Sequence, residues 1–360
     1  MKNKALKRVL LTVSVFLGIV IVVVGCFLIF ESATTLQVQD TEAMAISGKA
    51  YEKPDQGREI RLLTWNVGYG ALDEKQDCYF DGGTGVDGES LEAVQTNVGS
   101  IKDKLKELAP DIFCLQELDR DSKRSYHFDE YAFLADSFGD SYQSSFAPNF
   151  KTGFVPVPLY NPTGKVEAGI ATFSAFQMTS STRVQLPIPF SWPVSLVNLK
   201  RCLLITRYPV MFSDKELVIV NLHLEAYDDG EGKAKQLKQL MDFLQEEYDK
   251  GNYVVACGDF NQAFSNVDLS KYPQIDEWIC PVIDVNQYGD FSFHMDDRVP
   301  TCRSLSKPYF DSEKVTHQYY MLDGFITSHN ITVNSLATID LGFKNTDHNP
   351  VLLSVTLDKR

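Results

Sequence analysis

The strongest constraint on this chain is a repeated local pattern: short runs of Ile, Val, Leu and Phe, each closed or preceded by a compact polar word. Thr64-Trp65-Asn66 lies at the end of the run Ile60 to Val67, Leu115-Gln116-Glu117 at the end of Asp111 to Gln116, and Asn221-Leu222-His223 at the end of Leu217 to Leu222. Gly258-Asp259-Phe260-Asn261 follows Tyr253 to Cys257, and Asp347-His348-Asn349 precedes Val351 to Leu357. A further run, Leu322 to Ile326, carries Asp323 within it, where a carboxylate is costly unless paired. Short apolar runs of this kind read as strands of a largely buried sheet.

Helical patterns lie between several of these strands. Val94, Val98, Ile101, Leu105 and Leu108 recur at helical spacing until Pro110 ends the helix. Leu237, Leu240, Met241, Leu244 and Tyr248 make a second apolar face, with Gly251 just beyond. The alternation continues without a composition break after Gly57, so residues 58–358 read as one α/β domain. Two stretches fit poorly: Tyr69 to Ser90, with five glycines and several acids, and the proline-broken Pro187 to Pro193. Loops of that kind are functional rims or mobile excursions.

Residues 1–8 carry Lys2, Lys4, Lys7 and Arg8, and the next 22 residues, Val9 to Phe30, are uncharged. As a helix that stretch rises about 33 Å, enough to cross the hydrocarbon of a bilayer. The basic flank favours a cytoplasmic N-terminus, so the remainder is expected outside, as a single-pass cell-membrane protein. Val23-Val24-Gly25-Cys26 is similar to a lipoprotein processing site, but Phe27 to Phe30 continue the apolar run past the cysteine, and an uncleaved anchor is preferred over a lipoprotein or a secreted form. Residues 31–57, polar and mixed with Pro54 and Gly57, read as a stalk open to protease.

Without the four N-terminal cations, 30 basic residues face 48 acidic ones, a net charge of −18. Such an acidic balance disfavours a broad nucleic-acid surface, although a local groove built from Lys151, Lys165, Lys200 and Arg201 would reverse that argument. The cysteines lack zinc-site spacing; Cys114 and Cys257 read as core residues, and disulfides among Cys78, Cys202, Cys280 and Cys302 cannot be paired from sequence.

Taken together in this order, the five polar words resemble the endonuclease/exonuclease/phosphatase superfamily, with its DNase-like nucleases, neutral sphingomyelinases and inositol polyphosphate phosphatases. The resemblance implies a four-layer α/β sandwich of two packed mixed β-sheets flanked by helices, here preceded by one transmembrane helix. It also implies roles. Glu117 would be the principal metal ligand, with Asn66 and Asp347 in the metal region. Asp259 would position or deprotonate the attacking water, Asn261 would hold a phosphate oxygen, Asp323 would orient His348 against the scissile phosphate, and His223 would help protonate the leaving group. Mg2+ suits sparse oxygen ligands on separate strand ends, with Mn2+ or Ca2+ as substitutes, and no Cys/His cluster offers a softer metal a site. His127, His294, His317 and His329 lack such a context.

The expected function is metal-dependent hydrolysis of a phosphoester at the outer membrane surface, with a lipid or small phosphodiester preferred. His223-Leu224-Glu225-Ala226 is similar to a word of sphingomyelinase-like members, and Phe190 and Trp192 are candidates for an apolar rim. An extracellular DNase-like nuclease is the second reading and a catalytically inactive binding module the third. No segment points to a protein partner.

Overall fold

The computed structural model describes residues 2–228, 230–309 and 317–359. Its core is two seven-stranded sheets. The first runs, in spatial order, Ile331–Thr338, Val351–Leu357, Glu59–Asn66, Ile112–Asp119, Gly164–Ser174, Gln143–Val155 and Ile46–Gly48. The second runs Thr41–Ala43, Ser180–Gln185, Cys202–Pro209, Glu216–His223, Tyr253–Asp259, Asp323–Ser328 and Phe291–His294. Each sheet holds one parallel pair, Glu59–Asn66 with Ile112–Asp119 and Glu216–His223 with Tyr253–Asp259. All six strand runs expected from the sequence are present, Val351–Leu357 with the expected ends and the other five displaced by a few residues.

Alternation of side chains across each strand builds the layers. Ile60, Leu62, Ile112, Cys114, Leu217, Ile219, Val255, Cys257, Leu353 and Val355 point between the sheets and form one buried cluster. Their sequence neighbours Leu63, Trp65, Phe113 and Leu115 point outward and meet Val94, Val98, Ile101 and Leu105 of the helix Leu91–Leu108. On the far side Val218, Val220, Val254 and Ala256 meet Leu240, Met241 and Leu244 of Glu231–Asp249. Helices outside and two sheets inside make the expected four-layer sandwich. Each fully buried Leu or Ile in these faces contributes roughly 1.5–3 kcal/mol relative to exposure.

The helix boundaries follow from local chemistry. Ser90 Oγ accepts a hydrogen bond from Ala93 N (3.1 Å) and caps the first helix, whose chain leaves through Ala109 in the left-handed region just before Pro110. Gly251, with φ of 83°, follows the second. All seven cysteines are unpaired.

The N-terminal helix Lys2–Thr34 is long and apolar enough to cross a membrane, and its side chains from Leu6 to Phe30 are largely exposed. The chain beyond this helix is not a stalk. Thr41–Ala43 pairs with Ser180–Gln185, and Ile46–Gly48 pairs with Gln143–Val155, so this stretch supplies an edge strand to each sheet. Glu31 is buried and accepts a hydrogen bond from the Thr152 hydroxyl, and Leu36 N donates to Lys151 O (2.8 Å). The polar composition of residues 31–57 concealed these contacts because three-residue edge strands carry no readable periodicity.

Candidate active site

The inward-facing positions that are apolar along most of each central strand become polar at one end. Ile60 and Leu62 give way to Thr64 and Asn66, Ile112 and Cys114 to Gln116, Leu217 and Ile219 to Asn221 and His223, and Val255 and Cys257 to Asp259. The register sets these ends at one height: Asn66 lies opposite Gln116, and Asp259 opposite both His223 and Asp323. Beneath the site, Gln116 Nε2 donates to Asn221 Oδ1 (2.8 Å), while Asn221 Nδ2 donates to Ala171 O (2.8 Å), so two amides tie the sheets together.

Glu117 breaks the alternation. The register slips between Leu115 and Leu118, and Glu117 takes φ of 58°, a left-handed backbone uncommon for a glutamate. The bulge turns its carboxylate to within 3.9 Å of His223 Nε2. Asn66 Nδ2 donates to Asp259 Oδ2 (3.1 Å), while Asn66 Oδ1 accepts from Gly68 N (3.0 Å). Gly68 is required there: at φ of 56°, an added Cβ would stand 2.8 Å from Asp347 Oδ1. Gly258 is equally constrained, since its Cβ would lie 1.9 Å from Leu222 O.

His348 Nδ1 lies 2.7 Å from Asp323 Oδ2, and its Nε2 lies 3.7 Å from Asp347 Oδ2 and 3.9 Å from Asp259 Oδ2. Trp65 Nε1 holds the His348 carbonyl (3.0 Å), and Thr301 Oγ1 accepts from the backbone N of Leu322 (2.9 Å) and Asp323 (3.1 Å). Asn261 N caps Asp259 Oδ1 (2.8 Å), and the Asn261 amide donates to Leu224 O (2.8 Å). Of the residues nominated from the sequence, Asn66, Glu117, His223, Asp259, Asn261, Asp347 and His348 line one cavity of about 670 Å³, and Asp323 stands behind His348. His127 pairs with Asp121 and His294 meets Thr327, both outside that lining.

The titrations divide sharply. Burial would lower His348, but Asp323, Cys302 and Asp347 raise it well above the usual histidine range, which favours the imidazolium. Burial and the nearby cations Arg201 and His348 push His223 well below that range, and its Nδ1 has no hydrogen-bond partner among the described residues. Burial and Asp323 raise Asp259 to about 6, and burial with Asp347 raises Glu117 to about 8. Carboxylates that stay raised in spite of His348 and Arg124 nearby offer a divalent ion a place. Two sets of side chains, Cys302, Asp347 and His348, and Asp259, Asp323 and His348, bring ligand atoms within 4.8 Å of one another. Because the His348 Nδ1 already pairs with Asp323, oxygen donors around Glu117 and Asp347 suit a hard ion better than either set.

Two arginines that the sequence did not single out, Arg124 and Arg303, also line the cavity, as does Arg201, which it named only as part of a possible basic groove. Arg124 stacks on Tyr69, 3.2 Å from the ring centre, while its guanidinium pairs with Asp119 (2.8 Å). Arg303 donates to Asp73 O (2.7 Å) and so ties down the Tyr69 to Ser90 loop, whose Cys78, Phe80 and Asp81 form a rim. Arg201 pairs with Glu225 (3.2 Å) and also donates to the His223 carbonyl (3.3 Å). Of the basic residues proposed as a groove, only Arg201 is in the cavity lining. Lys151 pairs with Glu167, Lys165 with Asp121, and the Lys200 ammonium with Thr35 and the Leu36 carbonyl.

Two packed mixed sheets with acids and histidines gathered at their strand ends define the phosphoesterase and nuclease class of α/β sandwich. The chain belongs to the Endonuclease/Exonuclease/phosphatase family, whose sequence pattern matches residues 63–338. An endonuclease/exonuclease/phosphatase from Beutenbergia cavernae is 20% identical with a TM-score of 0.57, over 84% of this chain and 72% of that one. The human nocturnin catalytic domain with bound sulfate is 16% identical with a TM-score of 0.51, over 87% of this chain and 97% of that one. D. rerio TDP2 complexed with single strand DNA product is 16% identical with a TM-score of 0.51, over 83% and 99%. These likenesses establish the fold. No curated protein matches the sequence.

Proposed function

We propose that the protein is a membrane-anchored, extracytoplasmic, divalent-metal-dependent phosphoesterase that hydrolyses a lipid or small phosphodiester. The observation that carries this reading is the gathering of Glu117, Asp347, Asp259, His223 and the His348–Asp323 pair around one cavity. Glu117 and Asp347 would hold the ion, with Asn66 beside them; Mg2+ is the preferred occupant and Mn2+ or Ca2+ the alternatives. When bound, the ion supplies charge neutralisation at the phosphoryl oxygens.

The protein's own groups would do the rest. Asp259, poised near 6, orients an attacking water and accepts its proton near neutral pH. His348, held as an imidazolium by Asp323, donates its Nε2 proton toward the departing oxygen. His223, which the resemblance cast as helping to protonate the leaving group, favours its neutral form and is assigned instead to hydrogen-bond a phosphoryl oxygen. Asn66 and Asn261 fix Asp259 from either side through an amide and a backbone N–H.

The apolar residues Phe150, Val155, Val157, Val197 and Leu199 in the cavity wall favour a substrate with an apolar part, and the absence of Lys151, Lys165 and Lys200 from that lining disfavours a long polyanion. Arg124, Arg201 and Arg303 in the same wall are the observation that supports a nuclease as the second reading. The full chain in nanodiscs, assayed with Mg2+, Mn2+ and Ca2+ against DNA, RNA, sphingomyelin and phosphoinositides, separates the two. Lipid turnover without efficient cutting of duplex DNA supports the first, and the reverse supports the second.

A further inference from the structure

We propose that Phe154, Val157, Leu159, Tyr160, Trp192 and Val194 form a collar that docks into the outer face of the bilayer holding the N-terminal helix. The inference rests on the anchoring half of the reading above and is independent of its chemistry. Its starting point is the absence of a stalk. The Phe30 ring, in the last apolar turn, stands 2.5 Å from where a Cβ of Gly153 would be, and Gly153 N donates to Thr34 Oγ1 (3.0 Å). The strand Gln143–Val155 therefore sits at the level where the apolar helix ends. Beside it, the Lys200 ammonium is bound to Thr35 and the Leu36 carbonyl, and Lys200 N donates to Asn149 O (2.6 Å) of the same strand, cations being favoured where a helix ends in unpaired carbonyls. A helix end held by these contacts sets the domain directly against the membrane surface.

The collar lies on the segments that make this clamp. Phe154 directly follows Gly153, and residues 157–160 form the turn beyond. Val194–Val197 touches the helix, and Trp192 precedes that turn by two residues. These side chains are uncovered where a domain surface would normally be polar: Leu159 is 88% exposed, Trp192 63%, Val194 51% and Phe154 40%. Phe190, the other rim candidate, is half-buried. Apolar and aromatic side chains beside the end of a membrane span lower their free energy by entering the lipid interface. The same two segments furnish Val155, Val157 and Val197 to the cavity wall, so docking the collar sets the cleft's apolar flank at the lipid surface.

The test uses the full chain in phosphatidylcholine nanodiscs with and without brominated acyl chains. The tryptophans are Trp65, Trp192 and Trp278, none in the helix, and Trp65 is buried. Bromine should quench a component of the wild-type emission that Trp192→Phe lacks; equal quenching in both overturns the proposal. If quenching is absent and the chains cross-link as pairs through the collar, a second copy is the occupant and the proposal again falls. In a functional arm, Phe154→Glu with Leu159→Glu should lower turnover of a nanodisc-borne phosphodiester about tenfold while leaving bis(p-nitrophenyl) phosphate hydrolysis within about twofold. Equal loss on both substrates counts against the collar. A wild-type chain that hydrolyses neither substrate undermines the chemical reading, and quenching still decides the docking. A chain that does not remain in the disc undermines the anchor itself.

Discussion

Two glutamates at opposite ends of the sandwich titrate in opposite directions. Glu247, in the last turns of Glu231–Asp249, receives Arg207 through two hydrogen bonds (2.8 Å each), Lys250 (2.6 Å) and Asn252 Nδ2 (2.8 Å). Burial opposes its charge, but these donors win and hold it at about 2. Glu117, at the site end of the first sheet, is pushed up to about 8 by burial and by Asp347. The structural end of the molecule neutralises its buried acid with side chains already in place. The candidate active end leaves its acids crowded, as befits a site completed by a cation and a phosphate.

That contrast can be broken experimentally, most severely at the imidazolium. His348→Ala should reduce phosphodiester turnover by about 10²–10⁴, and adding Asp323→Ala should cost little more because the two act as one unit. Steady-state kinetics of the single and double variants check this; losses that simply multiply would mean independent roles. Glu117→Gln keeps the shape and removes one charge, so turnover should fall on the order of 10² with the thermal midpoint unchanged or raised. Unaltered turnover in saturating Mg2+ would remove Glu117 from the site.

The next effects are on stability. Asn221→Ala removes the shortest partner of Gln116 Nε2, leaving it only its longer bonds to Thr64 Oγ1 and Cys114 O, and should cost about 1–3 kcal/mol in denaturant unfolding, while the double change Gln116→Leu with Asn221→Leu should recover part of it. No cost in the single variant would mean that the amide tie is dispensable. The smallest effect concerns acid. Because Glu247 is depressed below its ordinary 4.5, its stabilisation is full above that pH and is lost as pH falls toward about 2. Glu247→Gln should flatten the decline of the thermal midpoint across that window; an unchanged slope would show that the Arg207 pair contributes nothing there.

How much of this was legible depended on whether the signal was local. The six central strands were readable because each is a continuous apolar run, and the residues at the site because each sits in a polar word at a run's end. Gln143–Val155 was not readable: with Pro148, Gly153 and two serines it has no clear apolar alternation, and it is a strand because Gly164–Ser174 pairs along it. The helix Glu130–Phe138 is short and its face mixed. Arg124 and Arg303 looked like ordinary surface cations and Arg201 only like part of a possible groove, since their placement depends on Asp119, the carbonyls of a distant loop and Glu225. The stalk expectation failed for the same reason: pairing partners more than a hundred residues away turned polar residues 41–43 into an edge strand, and partners nearly as distant did the same for 46–48.

The claim that the crowded acids are completed by a divalent ion is tested most directly by metal removal. The full chain in nanodiscs, stripped with EDTA, should lose hydrolysis of bis(p-nitrophenyl) phosphate and regain it saturably as Mg2+ is restored, with the saturation point displaced to higher Mg2+ in Glu117→Gln. Hydrolysis that persists at full rate after EDTA, or an identical Mg2+ titration in Glu117→Gln, would contradict the account.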